Sequence, residues 1–229
     1  MFSLPQRLLG HHPFIASHPA VPHEEPPLRR TGTRERTLLE LVMPQYHFRG
    51  GARVTVEATP EEVLRALEEV TPGDMPLAYA IGTLRYLPGR MMGKQRAPDE
   101  QLTRPFLDVA TPFLRLGEDP GREVVIGSVG KFHNLLDQQF VELPDLFTFT
   151  RFNDAAYQKL AIGFRAVSVH GGTRTTLAAD HRTLALSPAS RRKFAVYWYL
   201  VVGWSGNIML RLLLRAVKRR AEAGHRDAG

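Results

Sequence analysis

A chain of 229 residues, 43% hydrophobic and 23% charged, is long enough to bury a substantial core and has the composition of an ordinary globular protein. It contains no cysteine, which excludes disulfides and cysteine-ligated metal and suits a reducing, cytoplasmic setting. The net charge of +7 favours acidic partners in general. Its basic residues gather at Arg29, Arg30, Arg34 and Arg36, and again at Arg211, Arg215, Lys218, Arg219 and Arg220, where helical spacing predicts a solvated helix end.

Residues 1 to about 31 read as an irregular leader. Pro5, Pro13, Pro19, Pro22, Pro26 and Pro27 break any regular element, and the spacing of His11, His12, His18 and His23 between them matches no defined metal site. The start of the chain lacks the basic residues and continuous apolar run of a secretory signal. A short amphipathic helix is expected near 33–43, with Leu38, Leu39 and Val42 on one side and Pro44 as its stop. Together these form an N-terminal extension over 1–45, followed by one domain over 46–223 and a disordered tail over 224–229.

In the domain, Ala52, Val54, Val56 and Ala58 alternate with polar residues, the period-two signature of a half-buried strand. Thr59-Pro60-Glu61-Glu62 then starts a helix with a capping threonine, an early proline and acids near the positive end of the dipole. A second helical piece is expected over 76–87, then a polar loop over 90–104. Strands follow: 113–116 and 123–132 about a Glu118-Asp119-Pro120-Gly121 turn, and 146–152 (LFTFTRF) by its alternation. Gly127, Gly130 and Gly163 read as bulges or bends.

Residues 160–184 predict a hairpin folded at His170-Gly171-Gly172-Thr173. A two-residue turn at the glycine pair makes partner numbers add to 343. Leu160, Ile162, Phe164, Leu177, Ala179 and His181 then share an apolar face, and Arg165, Asp180 and Arg182 the charged one. Ser187-Pro188 opens the final helix, apolar in the middle and basic at both ends, with Phe194, Trp198 and Val201 aimed at the sheet. Its uncharged stretch 194–210 falls short of the roughly 20 residues of a membrane span and is interrupted by Gly203, Ser205, Gly206 and Asn207, so spanning is not expected.

Three stretches, 54–63 (VTVEATPEEV), 119–127 (DPGREVVIG) and 197–216 (from Tyr197-Trp198 through Ser205-Gly206-Asn207-Ile208 to Leu213-Leu214-Arg215-Ala216), resemble the START-like superfamily. The nearer likeness is to bacterial SRPBCC proteins described as polyketide cyclase-like. Two positions depart from that pattern: Leu64 replaces a bulky aromatic, and no proline precedes Ser205-Gly206. The resemblance implies an α+β helix-grip fold, a curved antiparallel sheet wrapped around a long C-terminal helix with a ligand cavity between them.

Fold alone assigns no activity. No GxSxG, P-loop, HExxH or dinucleotide fingerprint is present, and no cofactor or metal is expected. The leading expectation is a binding protein for a small hydrophobic or aromatic, lipid- or polyketide-like ligand. Its contacts would be Ile126, Phe149, Leu160, Ile162 and Phe164 on the sheet, Leu177, Ala179 and His181 on the last strand, and Trp198 and Val201 on the helix. An aromatic cyclase or dehydratase with His181 as general acid or base is the enzymatic alternative. A peripheral membrane lipid handler, docking through basic tail and aromatics, is the third reading. Nucleic acid is not an expected partner, because the basic residues are not interleaved with aromatics on a strand face.

Overall fold

The structure is a computed structural model, and it describes residues 35–81, 91, 102–109, 113–134, 139–169 and 174–228. The chain divides into two units, Met1–Glu35 and Arg36–Gly229, and the fold is that of the second. The expected leader, most of the 90–104 loop, the end of the 76–87 helix and the His170–Thr173 turn lie outside the described residues.

The elements run α1 (Leu38–Val42), β1 (Phe48–Val56), α2 (Pro60–Glu69), a 3-10 turn (Pro72–Asp74), α3 (residues 76–81), α4 (Phe106–Val109), β2 (Leu114–Asp119), β3 (Glu123–Gly130), β4 (Phe140–Val141), α5 (Leu146–Arg151), β5 (Gln158–Val169), β6 (Arg174–Ala185), α6 (Pro188–Tyr197), a π-turn (Trp198–Val202) and α7 (Gly203–Ala228). The strands form one antiparallel sheet in the order β1-β6-β5-β3-β2, with β4 paired to β3. The long hairpin pairs as the glycine dyad predicts: Phe164 faces Ala179 and Ile162 faces His181, partner numbers adding to 343 throughout. Helices α2 and α7 cover the inner face, giving an α+β helix-grip arrangement. Thr59 caps α2 in a reciprocal box with Glu62, and Ser187 caps α6 above Pro188 at its first turn.

The outer face has a cover of its own. Leu39 and Met43 beside α1 and Phe149 of α5 pack on Leu116, Val125, Val129 and Ala161 as a second core. This accounts for β3, which is buried at every position because both of its faces are covered. It also corrects three sequence expectations. Residues 146–151 are a helix, not a strand: Asp145 accepts a hydrogen bond from the Thr148 N–H at 2.7 Å and starts it. Phe149 therefore lies on the side of the sheet away from the C-terminal helix, outside the sheet–helix interface where it was expected. Helix α1 belongs to the main domain, so the boundary falls near residue 36 and not at 46.

Two charged side chains on the outer face hold α1 at its ends. The Glu123 carboxylate accepts the backbone N–H groups of Leu38 (2.8 Å) and Leu39 (3.0 Å), where the helix dipole favours negative charge. The Arg182 guanidinium donates to the Met43 carbonyl at 2.7 Å and lies 4.7 Å over the Tyr46 ring. Gly163 remains in register, and no bulge occurs there; a Cβ at this position would lie 3.0 Å from the Leu39 Cβ, so the glycine lets the helix touch the sheet. Among the described residues, the one register shift sits between Arg115 and Gly117.

The basic C-terminal segment faces solvent as expected, with Arg211, Arg215, Arg219 and Arg220 exposed, and its later residues are anchored as well. Lys218 donates to the Thr55 carbonyl and Arg219 to that of Asp74, each at 2.8 Å, while Arg220 pairs with Glu69 (3.2 Å) and His225 with Glu62 (3.1 Å). Helix α7 runs through the expected tail to Ala228. Replacing Glu123 with alanine should lower unfolding stability by about 2–4 kcal/mol, because two charge-assisted hydrogen bonds at a buried helix start are lost together. Urea denaturation of the variant, read at its midpoint, checks this; an unchanged midpoint contradicts the clamp.

Candidate functional site

The register sorts the inner face into rows running across the sheet. Ser128, Leu160, Thr183 and Phe48 form one row, and Ile126, Ile162, His181 and Gly50 the next. Val124, Phe164, Ala179 and Ala52 follow, then Ala166, Leu177 and Val54. The last two rows meet α2 and the far half of α7, where Leu210, Leu213, Leu214 and Val217 fill the interface. Phe164, Leu177 and Ala179 are each 0% exposed there. That half is closed core, and side chains occupy the space a ligand would need.

The first two rows are different. They meet an aromatic cluster of Phe194, Tyr197 and Trp198, to which Phe48 and Phe132 contribute from the domain side. Phe48 lies 5.0 Å from Phe194 and 5.3 Å from Trp198 between ring centroids. Leu160 and Ile162 sit on the inner face of a central strand, yet both are only half-buried, as is Val201 opposite. Of the expected contacts, Leu160, Trp198 and Val201 are thus gathered at this end with His181 against Trp198, while in the His181 row Ile126 belongs to the closed core and the half-buried Ile162 packs at that core's edge.

His181 is the polar centre of this end. Its ring lies 5.4 Å from that of Trp198 at 43°, and it is 6% exposed. Its Nε2 is buried with no hydrogen-bond partner among the described residues, and so is the Ser128 Oγ in the neighbouring row. A buried polar atom without a partner costs stability, so such atoms are few and point to a role. Burial pushes the His181 pKa down, opposed by the nearby Asn207 amide and the Asp180 carboxylate, which keeps the ring neutral at neutral pH.

Asn207 was not singled out by sequence reasoning, which treated it as an interruption of an apolar helix. Its Oδ1 accepts the Gly51 N–H at 3.0 Å and its Nδ2 donates to the Gly203 carbonyl at 2.8 Å. It therefore ties α7 to β1 and lies beside His181, where its amide opposes the effect of burial on the imidazole. A Cβ on Gly50 would lie 2.5 Å from the His181 Nε2 and 2.7 Å from the Asn207 Oδ1. Only glycine at 50 leaves room for both. The signal was legible in principle: an amide in an uncharged apolar helix must find a partner.

The helix opens locally at the same level. Trp198–Val202 is a π-turn, closed by the Gly203 N–H on the Trp198 carbonyl, one residue wider than α geometry and just ahead of the Ser205-Gly206 pair before which a proline is absent. On the charged face of the hairpin, Arg182 is committed to α1 and does not serve as a ligand anchor. Two surface depressions formed by described residues, of about 430 Å³ among Glu57, Arg174, Glu222, His225 and Arg226 and about 520 Å³ among His47, Ala185, Ser187, Arg191, Arg192 and Ala195, both lie outside the sheet–helix interface.

No protein-family profile matches the chain, and no curated protein does. Among solved structures, it is similar to a hypothetical protein from Helicobacter pylori, with 7% identity over 84% of this chain and 99% of the other at a TM-score of 0.37. It is also similar to the Zhui aromatase/cyclase from Streptomyces sp. R1128, at 14% identity over 77% and 97% with a TM-score of 0.30. A third is a protein from Chromobacterium violaceum, at 13% identity over 75% and 97% with a TM-score of 0.29. At these scores the helix-grip arrangement rests on this chain's own strand order and helix placement.

A histidine whose folded pKa lies below its unfolded value of 6.5 binds its proton less readily when folded. The protein should hold its full stability above 6.5 and lose it as pH falls from there through the folded value. His47 is shifted the same way, by burial and by Arg191, so the difference between the native chain and His181→Gln isolates the His181 part. Melting temperature against pH should therefore fall less steeply on the acid side in the variant. Gly50→Ala should separately cost about 1–3 kcal/mol by overpacking, read by urea denaturation.

Proposed function

We propose that the chain binds a small hydrophobic or aromatic molecule at the aromatic end of the sheet–helix interface. The carrying observation is the buried, unpartnered Nε2 of His181 beside two half-buried aliphatic residues of a central strand. A neutral imidazole there offers one hydrogen bond to a ligand carbonyl or hydroxyl, while Leu160, Ile162, Trp198 and Val201 supply apolar area. Binding is favoured over acid–base catalysis because no carboxylate shares the inner face with His181, the neighbouring Asp180 lying on the other face of its strand. The four inner rows hold none, and residues 188–221 contain no aspartate or glutamate.

The test uses Nile red, an apolar dye with a carbonyl acceptor. It should bind saturably, about one per chain, with a blue-shifted emission. The double variant Leu160→Phe/Ile162→Phe should keep its melting temperature and lose affinity by about tenfold or more, because the added carbons occupy the space. His181→Gln should weaken binding by about three- to tenfold through one hydrogen bond. Non-saturable binding, or binding indifferent to the filled variant, refutes this placement.

A further inference from the structure

The outward face of the same helix carries a second pattern. Val196, Tyr199, Leu200 and Trp204 are large apolar residues exposed by 62%, 76%, 69% and 58%. Spacings of three and four put them on one helical face, and the same spacing brings Arg192 and Lys193 to one end and Arg211 to the other. The stripe from Arg192 to Arg211 is roughly 28 Å long at about 1.5 Å per residue. Trp204 has its one polar atom satisfied within the helix, donating to the Leu200 carbonyl at 2.9 Å, so its ring presents apolar surface without an unmet hydrogen bond.

The charges narrow the choice of occupant. The cations nearer the end of α7 are consumed internally, Lys218 and Arg220 by carboxylates and Arg219 by a carbonyl. Arg192, Lys193, Arg211 and Arg215 form no ion pair among the described residues and are exposed. With no acid between 188 and 221, a second copy of this face would oppose cation to cation in either orientation. An apolar centre bracketed by cations instead suits the interface of a bilayer with negatively charged headgroups. The depression of about 520 Å³ at the start of α6 adds Arg191 and Arg192 at the edge of the stripe, with room for a headgroup. The helical run Pro188–Arg226 is long and apolar enough to cross a membrane, but Leu210, Leu213, Leu214 and Val217 are committed to the core, so contact is peripheral.

We propose that this face of α6, the π-turn and α7 docks the protein onto anionic phospholipid membranes, independently of whether the interior holds a ligand. The experiment is flotation of the full chain with phosphatidylcholine vesicles, with and without phosphatidylserine, alongside tryptophan emission. The chain has two tryptophans, and Trp198 is already buried, so a blue shift on docking reports Trp204. Binding should require phosphatidylserine and weaken as salt rises. Arg192→Ala/Lys193→Ala should lower affinity by about 30-fold, since each basic residue near such a surface contributes about fivefold. Tyr199→Ser/Leu200→Ser/Trp204→Ser should abolish flotation while leaving melting temperature and Nile red binding intact.

Absence of flotation, or flotation unchanged in both variants, overturns the proposal, the latter placing membrane contact elsewhere on the chain. A concentration-dependent dimer that the serine variant dissolves, without vesicle binding, assigns the face to a second copy and overturns it equally.

Discussion

A strand with apolar side chains on both sides needs two separate layers over it, and β3 imposes that requirement on everything around it. Val124 and Ile126 need α2 and α7 beneath; Val125 and Val129 need α1 and α5 above. A five-residue helix such as α1 has too few hydrogen bonds to persist alone, so the sheet must supply its ends. Glu123 does so at the start and Arg182 at the finish, each matching the sign of the local dipole. The inner face is thereby freed from structural duty on charge. Its polar groups, His181 and Ser128, stand among apolar neighbours with capacity to spare.

How much of this was legible depends on whether a signal was local. The long hairpin was fully readable, because a glycine pair fixes register and alternation then fixes the faces of Phe164, Ala179 and His181. The start of α2 was readable for the same reason, with cap, proline and acids within four residues. LFTFTRF misled because its alternation imitates a strand, while the deciding residue, Asp145, stands just outside it. The continuous apolar run EVVIGSV carried news of a second layer, but a run of that kind cannot say which distant segment will provide the cover.

At the site, alternation put His181 on the inner face, where the register has it, but could not tell how the other expected contacts divide between the two ends of that face. Phe164, Leu177 and Ala179 share its face, but their space is claimed by leucines of α7 about thirty to fifty positions away in the chain. For Asn207 the need of a partner was legible but not its identity, and the π-turn left no mark in the helix's own pattern, because both depend on what the helix meets. The basic tail shows the converse. Arg219 and Arg220 had the spacing of a solvated face, and α2 with its adjoining turn met them with Glu69, Asp74 and a carbonyl oxygen, while Lys218 reached the Thr55 carbonyl of β1.

The sheet order has a temporal consequence. β1 is nearly the first element of the domain, yet its partner is β6, and Phe48 pairs with Thr183. During synthesis β1 must wait, with one edge and one apolar face unpaired, until almost the whole chain has left the ribosome. Closing so large a loop is slow compared with forming the β5–β6 hairpin, which needs only its own turn. The waiting strand is a liability for aggregation. Arg49 and Arg53 on its other face, with Gly50 and Gly51 between them, make it a poor template for premature pairing during that interval.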